Sequence, residues 1–152
     1  MLFPAGIRPV KRPLFPLGPL DSVAARYPGF ELRYIGPILD VGEGEALLRA
    51  LDGRPWARHL GEVPHAAMAA QLRDADVVLN CSLSEGGMAN SVLEALACGR
   101  AVLASDIAGN RSVIEDGVTG LLFGDPGDFA DKAARLLDDP ALRAKLGEAG
   151  HA

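Results

Sequence analysis

Val77-Val78-Leu79-Asn80-Cys81-Ser82-Leu83-Ser84-Glu85-Gly86-Gly87-Met88-Ala89-Asn90-Ser91-Val92-Leu93-Glu94-Ala95-Leu96-Ala97-Cys98-Gly99-Arg100-Ala101-Val102-Leu103-Ala104 is the stretch that decides the fold class. Its first five residues form a short, continuous apolar run, as expected for a parallel strand covered on both faces. Ser84 to Ala89 is a glycine-bearing loop. Val92, Leu93, Leu96 and Ala97 then recur at helical spacing, and Gly99 supplies a C-terminal stop. Ala101 to Ala104 is a strand again.

The same alternation extends in both directions. Upstream, Leu2 to Ala5 is a weak strand, and a turn follows at Gly6. Gly18-Pro19 opens a short helix with Leu20, Val23, Ala24 and Tyr27 on one stripe, ended by Pro28-Gly29. Glu31 to Ile35 is a strand stopped by Gly36-Pro37. Leu47, Leu48 and Leu51 mark a helix, and Trp56 to Leu60 a weaker strand. Pro64 starts a helix with Met68, Leu72 and Ala75 facing inward. Downstream, Gly120 to Phe123 is a sixth, short strand. Phe129, Ala133, Leu136 and Leu137 mark one further helix, and Leu142, Leu146 and Ala149 another. About six strands separated by helices predict an α/β doubly wound, Rossmann-like parallel sheet in three layers with right-handed crossovers.

At 152 residues, against roughly 150 per domain, the chain is expected to form a single domain over 1–152. Its 49% apolar content is enough to build a core, and 23% charged residues argue against disorder. A net charge of −5 leaves no electrostatic footprint for duplex DNA or an anionic membrane, though a local basic cluster can still hold one small anion. Aromatic content of 5% is too low for a stacking platform on single-stranded nucleic acid. Cys81 and Cys98 are too few for a disulfide scaffold and are read as buried, reduced thiols. No apolar run reaches membrane-spanning length, so a soluble cytoplasmic protein is expected.

In doubly wound sheets, ligands bind beyond the carboxyl ends of the strands, at the switch in strand order. Three loops qualify: Gly6 to Arg12, Ser82 to Ser91, and Asp106 to Asn110. The first carries Arg8-x-x-Lys11 followed by Arg12, two or three cations able to neutralise a diphosphate; the alternative is a solvated basic turn. In the second, the glycines let backbone approach a ligand, and the following helix aims free N–H groups at the same space. Glu85 there is a candidate acceptor for sugar or ribose hydroxyls. Glu94 is open between the same role and self-capping, because Ser91-x-x-Glu94 matches the capping box.

Other sites are missing. No G-x-G-x-x-G follows the first strand, which argues against a dinucleotide oxidoreductase. There is no G-x-x-x-x-G-K-[ST] and no G-x-S-x-G. His59, His65 and His151 are scattered, and His65 reads as a helix-start residue rather than a base. No nucleophile–base–orienter triad can be assembled, and no metal-ligand cluster is visible.

The run from Asn80 to Asp106 resembles the donor-binding domain of the group 1, retaining glycosyltransferases of the GT-B fold. Gly109-Asn110, Glu115 through Phe123, and the opening Gly6-Ile7-Arg8-Pro9-Val10-Lys11 match the same pattern. That resemblance implies that Arg8 and Lys11 hold the donor diphosphate and stabilise charge on the departing nucleoside diphosphate, and it places Arg8, Lys11 and Glu85 as the catalytic set. It further implies that Glu85 and the Gly86-Gly87-Met88-Ala89 backbone lie against the donor sugar. Glu94 would bind the ribose, Asn90-Ser91 would face phosphate, and Val63 would sit near the nucleobase.

The expected ligand is therefore a UDP-, GDP- or ADP-sugar, with no cofactor and no metal. The family usually separates its two glutamates by seven residues, whereas Glu85 and Glu94 are separated by eight, which bears on whether Glu85 is the family's first glutamate. The resemblance also implies an N-terminal acceptor domain and a returning C-terminal helix that this chain lacks. A fragment is expected, binding donor but transferring sugar weakly or not at all alone, with an exposed domain interface able to self-associate. A nucleotide-sugar epimerase of the same architecture and a non-catalytic binding module are the alternatives.

Overall fold

A computed structural model describes all residues, 1–152. Six strands build one sheet: β1 (Leu2–Pro4), β2 (Leu32–Ile35), β3 (Ala57–His59), β4 (Val77–Asn80), β5 (Ala101–Ser105) and β6 (Leu121–Phe123). Seven helices intervene: α1 (Leu17–Arg26), α2 (Val41–Leu51), α3 (His65–Asp74), α4 (Asn90–Ala97), α5 (Ala108–Arg111), α6 (Pro126–Asp138) and α7 (Pro140–His151). The spatial order is β3-β2-β1-β4-β5-β6, and every pairing is parallel. This is the doubly wound sheet that the sequence predicts, with its switch between β1 and β4.

Two-residue alternation sorts the strand side chains onto two faces. Phe3, Val77, Leu79, Ala101, Leu103, Leu121 and Phe123 enter one core with Leu20 and Val23 of α1, Leu47 of α2, Phe129 and Leu136 of α6, and Leu146 of α7. Leu2, Val78, Val102, Ala104 and Leu122 enter the other, against Leu72 of α3 and Val92, Ala95 and Leu96 of α4. Each residue of β1, β4, β5 and β6 is thus buried whichever way it points, which is why the β4 and β5 runs need no polar alternation.

Two elements escape the apolar periodicity: a single 3-10 turn at Pro9–Lys11 and the four-residue α5. Both are shorter than a hydrophobic repeat. The expectation of two buried thiols holds for Cys81, where burial pushes the thiol well above its ordinary range. Cys98 at the end of α4 is only half-buried. No helix is long and apolar enough to cross a membrane.

Candidate functional site

The chain leaves β1 through buried Ile7 and turns at Pro9–Lys11, where proline fixes the first turn residue. Arg12 closes the turn in the left-handed region, with φ of 47°. For a residue with a Cβ this costs about 1–2 kcal/mol, and two contacts offset it. Its Nε donates to the Cys81 carbonyl at 2.7 Å, and its guanidinium lies 4.5 Å from the Phe15 ring centroid. Arg12 is therefore a strut between the β1 and β4 loops, and the cationic cluster facing the cleft is Arg8 and Lys11. A backbone bond from Leu83 N to Val10 O, 2.9 Å, ties the same loops together. Buried Tyr34 of β2 holds the segment after the turn, donating to the Pro13 carbonyl at 2.6 Å.

Between these loops lies an open cleft of about 530 Å³ lined by Arg8, Lys11, Glu85, Gly86, Gly87, Met88, Asn90 and Ser91. The Arg8 side chain is exposed and makes no hydrogen bond or ion pair within the chain. Lys11 Nζ lies 2.9 and 3.0 Å from the two Glu85 carboxylate oxygens, with the side chains 15% and 10% accessible. Ser82 Oγ and Asn80 Nδ2 also donate to Glu85 Oε1, at 2.7 and 3.1 Å. Burial pushes the Glu85 carboxyl up. The bonds from Ser82, Lys11 and Asn80, with the Lys11 charge, outweigh it and hold the group below the usual carboxylate range.

The helix behind the loop is uncapped. Its N-cap residue is Ala89, and no side chain satisfies the first turn. The capping-box alternative for Glu94 is thus corrected: the helix starts at Asn90, so Ser91 sits inside it and cannot cap. The unsatisfied N–H groups at this end make it an anion-seeking terminus, lined by Asn90 and Ser91 on the cleft. Ala89 itself is fully buried among Val92 and Ala95 of the core, so only its backbone is offered to the loop.

Val63 and Glu94 lie farther along one path. A second cleft shares Pro4, Ala5 and Gly6 with the first and is lined by Gly36, Pro37, Glu62, Val63, His65 and Met68. A third shares His65 and Met68 with the second and reaches Glu94, Ala97 and Cys98. The first two meet at the carboxyl end of β1, and the third continues from the second between α3 and α4. His65 is the exposed first residue of α3, the helix-start position expected of it.

The family model described as glycosyl transferases group 1 matches residues 3–139. The chain belongs to the group 1 glycosyl transferases. It is 34% identical over 144 residues to glycosyltransferase 1 domain-containing protein 1 of Xenopus tropicalis, covering 93% of this chain and 41% of that protein. Over 147 residues it is 37% identical to the phosphatidyl-myo-inositol mannosyltransferase of Mycobacterium tuberculosis, covering 90% of this chain and 37% of the relative. It spans about two fifths of the length of the curated relatives it matches.

Solved structures agree on the fold. The C-terminal domain of the group 1 family protein LpcC from Francisella tularensis superposes with a TM-score of 0.87 at 23% identity, over 99% of this chain and 81% of that one. Anabaena HepE, in complex with UDP and glucose, gives 0.83 at 20% identity, with 42% of its length covered. The Rossmann-like sheet expected as one half of a GT-B fold is present.

Sequence reasoning missed the polar network beneath the cleft. Asn80, Ser82, Ser105 and Asn110 are all buried and hydrogen-bonded to one another. Their signal was available: Asn80 ends an otherwise apolar strand, and Ser105 ends another. Gly109 lies in α5 against the same loop. A Cβ there would sit 2.7 Å from both the Glu85 Cβ and the Gly87 carbonyl oxygen, so only glycine lets α5 meet the loop.

Proposed function

We propose that this chain is the nucleotide-sugar-binding half of a glycosyltransferase, and that these clefts hold the donor. The observation that carries this reading is the run of three clefts, each sharing lining residues with the next. Its Arg8–Lys11 end combines an unpaired guanidinium, an ammonium and an uncapped helix terminus, and its Glu94 end presents an exposed carboxylate. An extended ligand with an anion at one end and hydroxyls along its length matches that sequence of groups.

In this reading the diphosphate lies against Arg8, the free donor of Lys11 and the α4 N-terminus. Lys11 has three N–H donors and gives two to Glu85, so one remains for a phosphate oxygen without breaking the pair. The base lies in the Val63 stretch, and the ribose hydroxyls donate to Glu94. The sugar rests on the Gly86-Gly87-Met88 backbone. Glu85 Oε1 is taken by three donors, whereas Oε2 accepts from Lys11 alone and keeps a lone pair for a sugar hydroxyl. As the glycosidic bond to the diphosphate breaks, negative charge grows on the leaving group. Arg8, Lys11 and the helix terminus stabilise it there without a metal ion. Transfer to an acceptor, with retention at the anomeric carbon, takes place in the complete enzyme.

The test is thermal unfolding against UDP, GDP, ADP and their sugar conjugates, with and without EDTA. At 100 times its dissociation constant a ligand adds about 2.7 kcal/mol. One nucleotide series should stabilise the wild type equally in EDTA and fail to stabilise Arg8→Ala/Lys11→Ala. No stabilisation by any nucleotide, or equal stabilisation of the double variant, rejects the reading.

A further inference from the structure

Asn80 stands at the end of β4, beside β1 at the switch point, and is buried with 6% of its surface accessible. The orientation of its amide follows from its neighbours. The Ser82 backbone N–H can only donate, and it lies 3.1 Å from one amide atom, which must be the oxygen Oδ1. Nδ2 therefore faces Glu85 Oε1 at 3.1 Å, with Ser91 Oγ at 3.5 Å as a weaker second acceptor.

Asn110 fixes the same amide from the other side. Its Nδ2 lies between two acceptors, the Ser105 carbonyl at 2.9 Å and Asn80 Oδ1 at 3.2 Å. That arrangement leaves Asn110 Oδ1 buried without a partner. An unsatisfied buried acceptor costs about 1–3 kcal/mol, so the network keeps Asn110 aimed at Asn80 against a local penalty. Ser105 in turn donates to the Ser82 carbonyl at 2.6 Å, which anchors the loop carrying the third donor to Glu85.

We infer that Asn80 is a positioning residue: by donating to Glu85 Oε1 it orients that carboxylate against Lys11 and leaves Oε2 turned to the donor sugar. The inference rests on the donor-site reading above and adds a residue to it. Asn80 touches neither diphosphate nor sugar; its whole effect passes through Glu85.

Asn80→Asp separates this from a packing role. The aspartate keeps the volume and both accepted hydrogen bonds, but it replaces the donor with a second carboxylate facing Glu85. Calorimetry on the 152-residue chain would compare UDP with UDP-glucose and GDP with GDP-mannose. The readout is the ratio of affinities, sugar nucleotide over nucleoside diphosphate. Asn80→Asp should lower that ratio about tenfold, the effect of one hydrogen bond to a charged group. Glu85→Gln should lower it too, and adding Asn80→Asp to Glu85→Gln should lower it no further. Equal weakening of both ligands, or additive losses in the double variant, overturns the inference.

Asn80→Ala serves if the aspartate does not fold. A wild type that binds neither pair, or shows no preference for the sugar, rejects the donor-site reading instead. The hold of Asn80 on Glu85 is then read from the ¹³C titration of the Glu85 carboxyl in the free chain. Charged groups facing it are Lys11 of the 3-10 turn and Arg8 lining the same cleft; β4 and its loop bring neutral Asn80 and Ser82, α4 brings Ser91, and α5 brings Gly109. Asn80→Ala should raise the Glu85 midpoint, and an unmoved midpoint overturns the inference.

Discussion

Glu85 and Lys11 cancel each other's charge, so the net positive charge facing a phosphate in the cleft comes from Arg8 and the helix terminus. This bears on how substitutions combine. Lys11→Met leaves Glu85 as an uncompensated anion beside the phosphate site, and nucleoside diphosphate affinity should fall about tenfold or more. Adding Glu85→Gln removes that anion and should recover part of the loss, as titration calorimetry would show. A double variant weaker than Lys11→Met would mean that the ammonium acts alone.

The same pair predicts an acid limb in stability. The Glu85 carboxyl is held below its unfolded value, so its contribution is complete above the ordinary carboxylate range and is lost as pH falls through the folded value. Thermal unfolding should show wild-type stability dropping below about pH 4.5. The drop should be shallower in Lys11→Met, where one of the groups that depress the Glu85 pKa is gone. Parallel profiles for the two proteins would contradict this.

At the scale of the element, α7 shows how close packing overrides helix propensity. Gly147 lies inside the helix, and a Cβ there would sit 2.2 Å from the carbonyl oxygen of Gly99, at the turn entering β5. Gly147→Ala gains about 1 kcal/mol in propensity. It loses about 1–3 kcal/mol to overpacking, towards the upper end here because the obstacle is backbone and cannot rotate away. A net loss near 1–2 kcal/mol should lower Tm by roughly 2–8 °C, and a Tm that rises would show that α7 shifts freely.

Strands, by contrast, were readable. Val77 to Asn80 and Ala101 to Ser105 emerge where their apolar runs stand, because a strand covered on both faces needs no alternation. The helix start at Asn90 was less legible. Ser91-x-x-Glu94 has the chemistry of a cap, and only the backbone path of the glycine loop puts Ser91 two residues past the cap position.

For the whole molecule, the two cores are the two faces of one sheet, and each of β1, β4, β5 and β6 contributes side chains to both. Neither core can be lost while the other keeps its strands in place. Urea unfolding followed by near- and far-ultraviolet circular dichroism should therefore give coincident single transitions. Separate midpoints would show that the α3–α4 layer unfolds independently of the α1–α6 layer.

The sequence by itself determined the strand and helix segments, the parallel doubly wound class, and the loops that end at the switch point. Those properties are carried by local periodicity and by glycine and proline, which act over a few neighbouring residues. Tertiary structure alone decided the partners of the polar groups. Lys11 meets Glu85 across 74 positions, Asn80 meets Asn110 across 30, and Arg12 turns away from the cleft to bond Cys81 across 69. Nothing local distinguishes Arg12 from Arg8. The strand order sets β1 beside β4, and that adjacency selects which half-buried carboxylate finds a cation and which cation remains for a ligand.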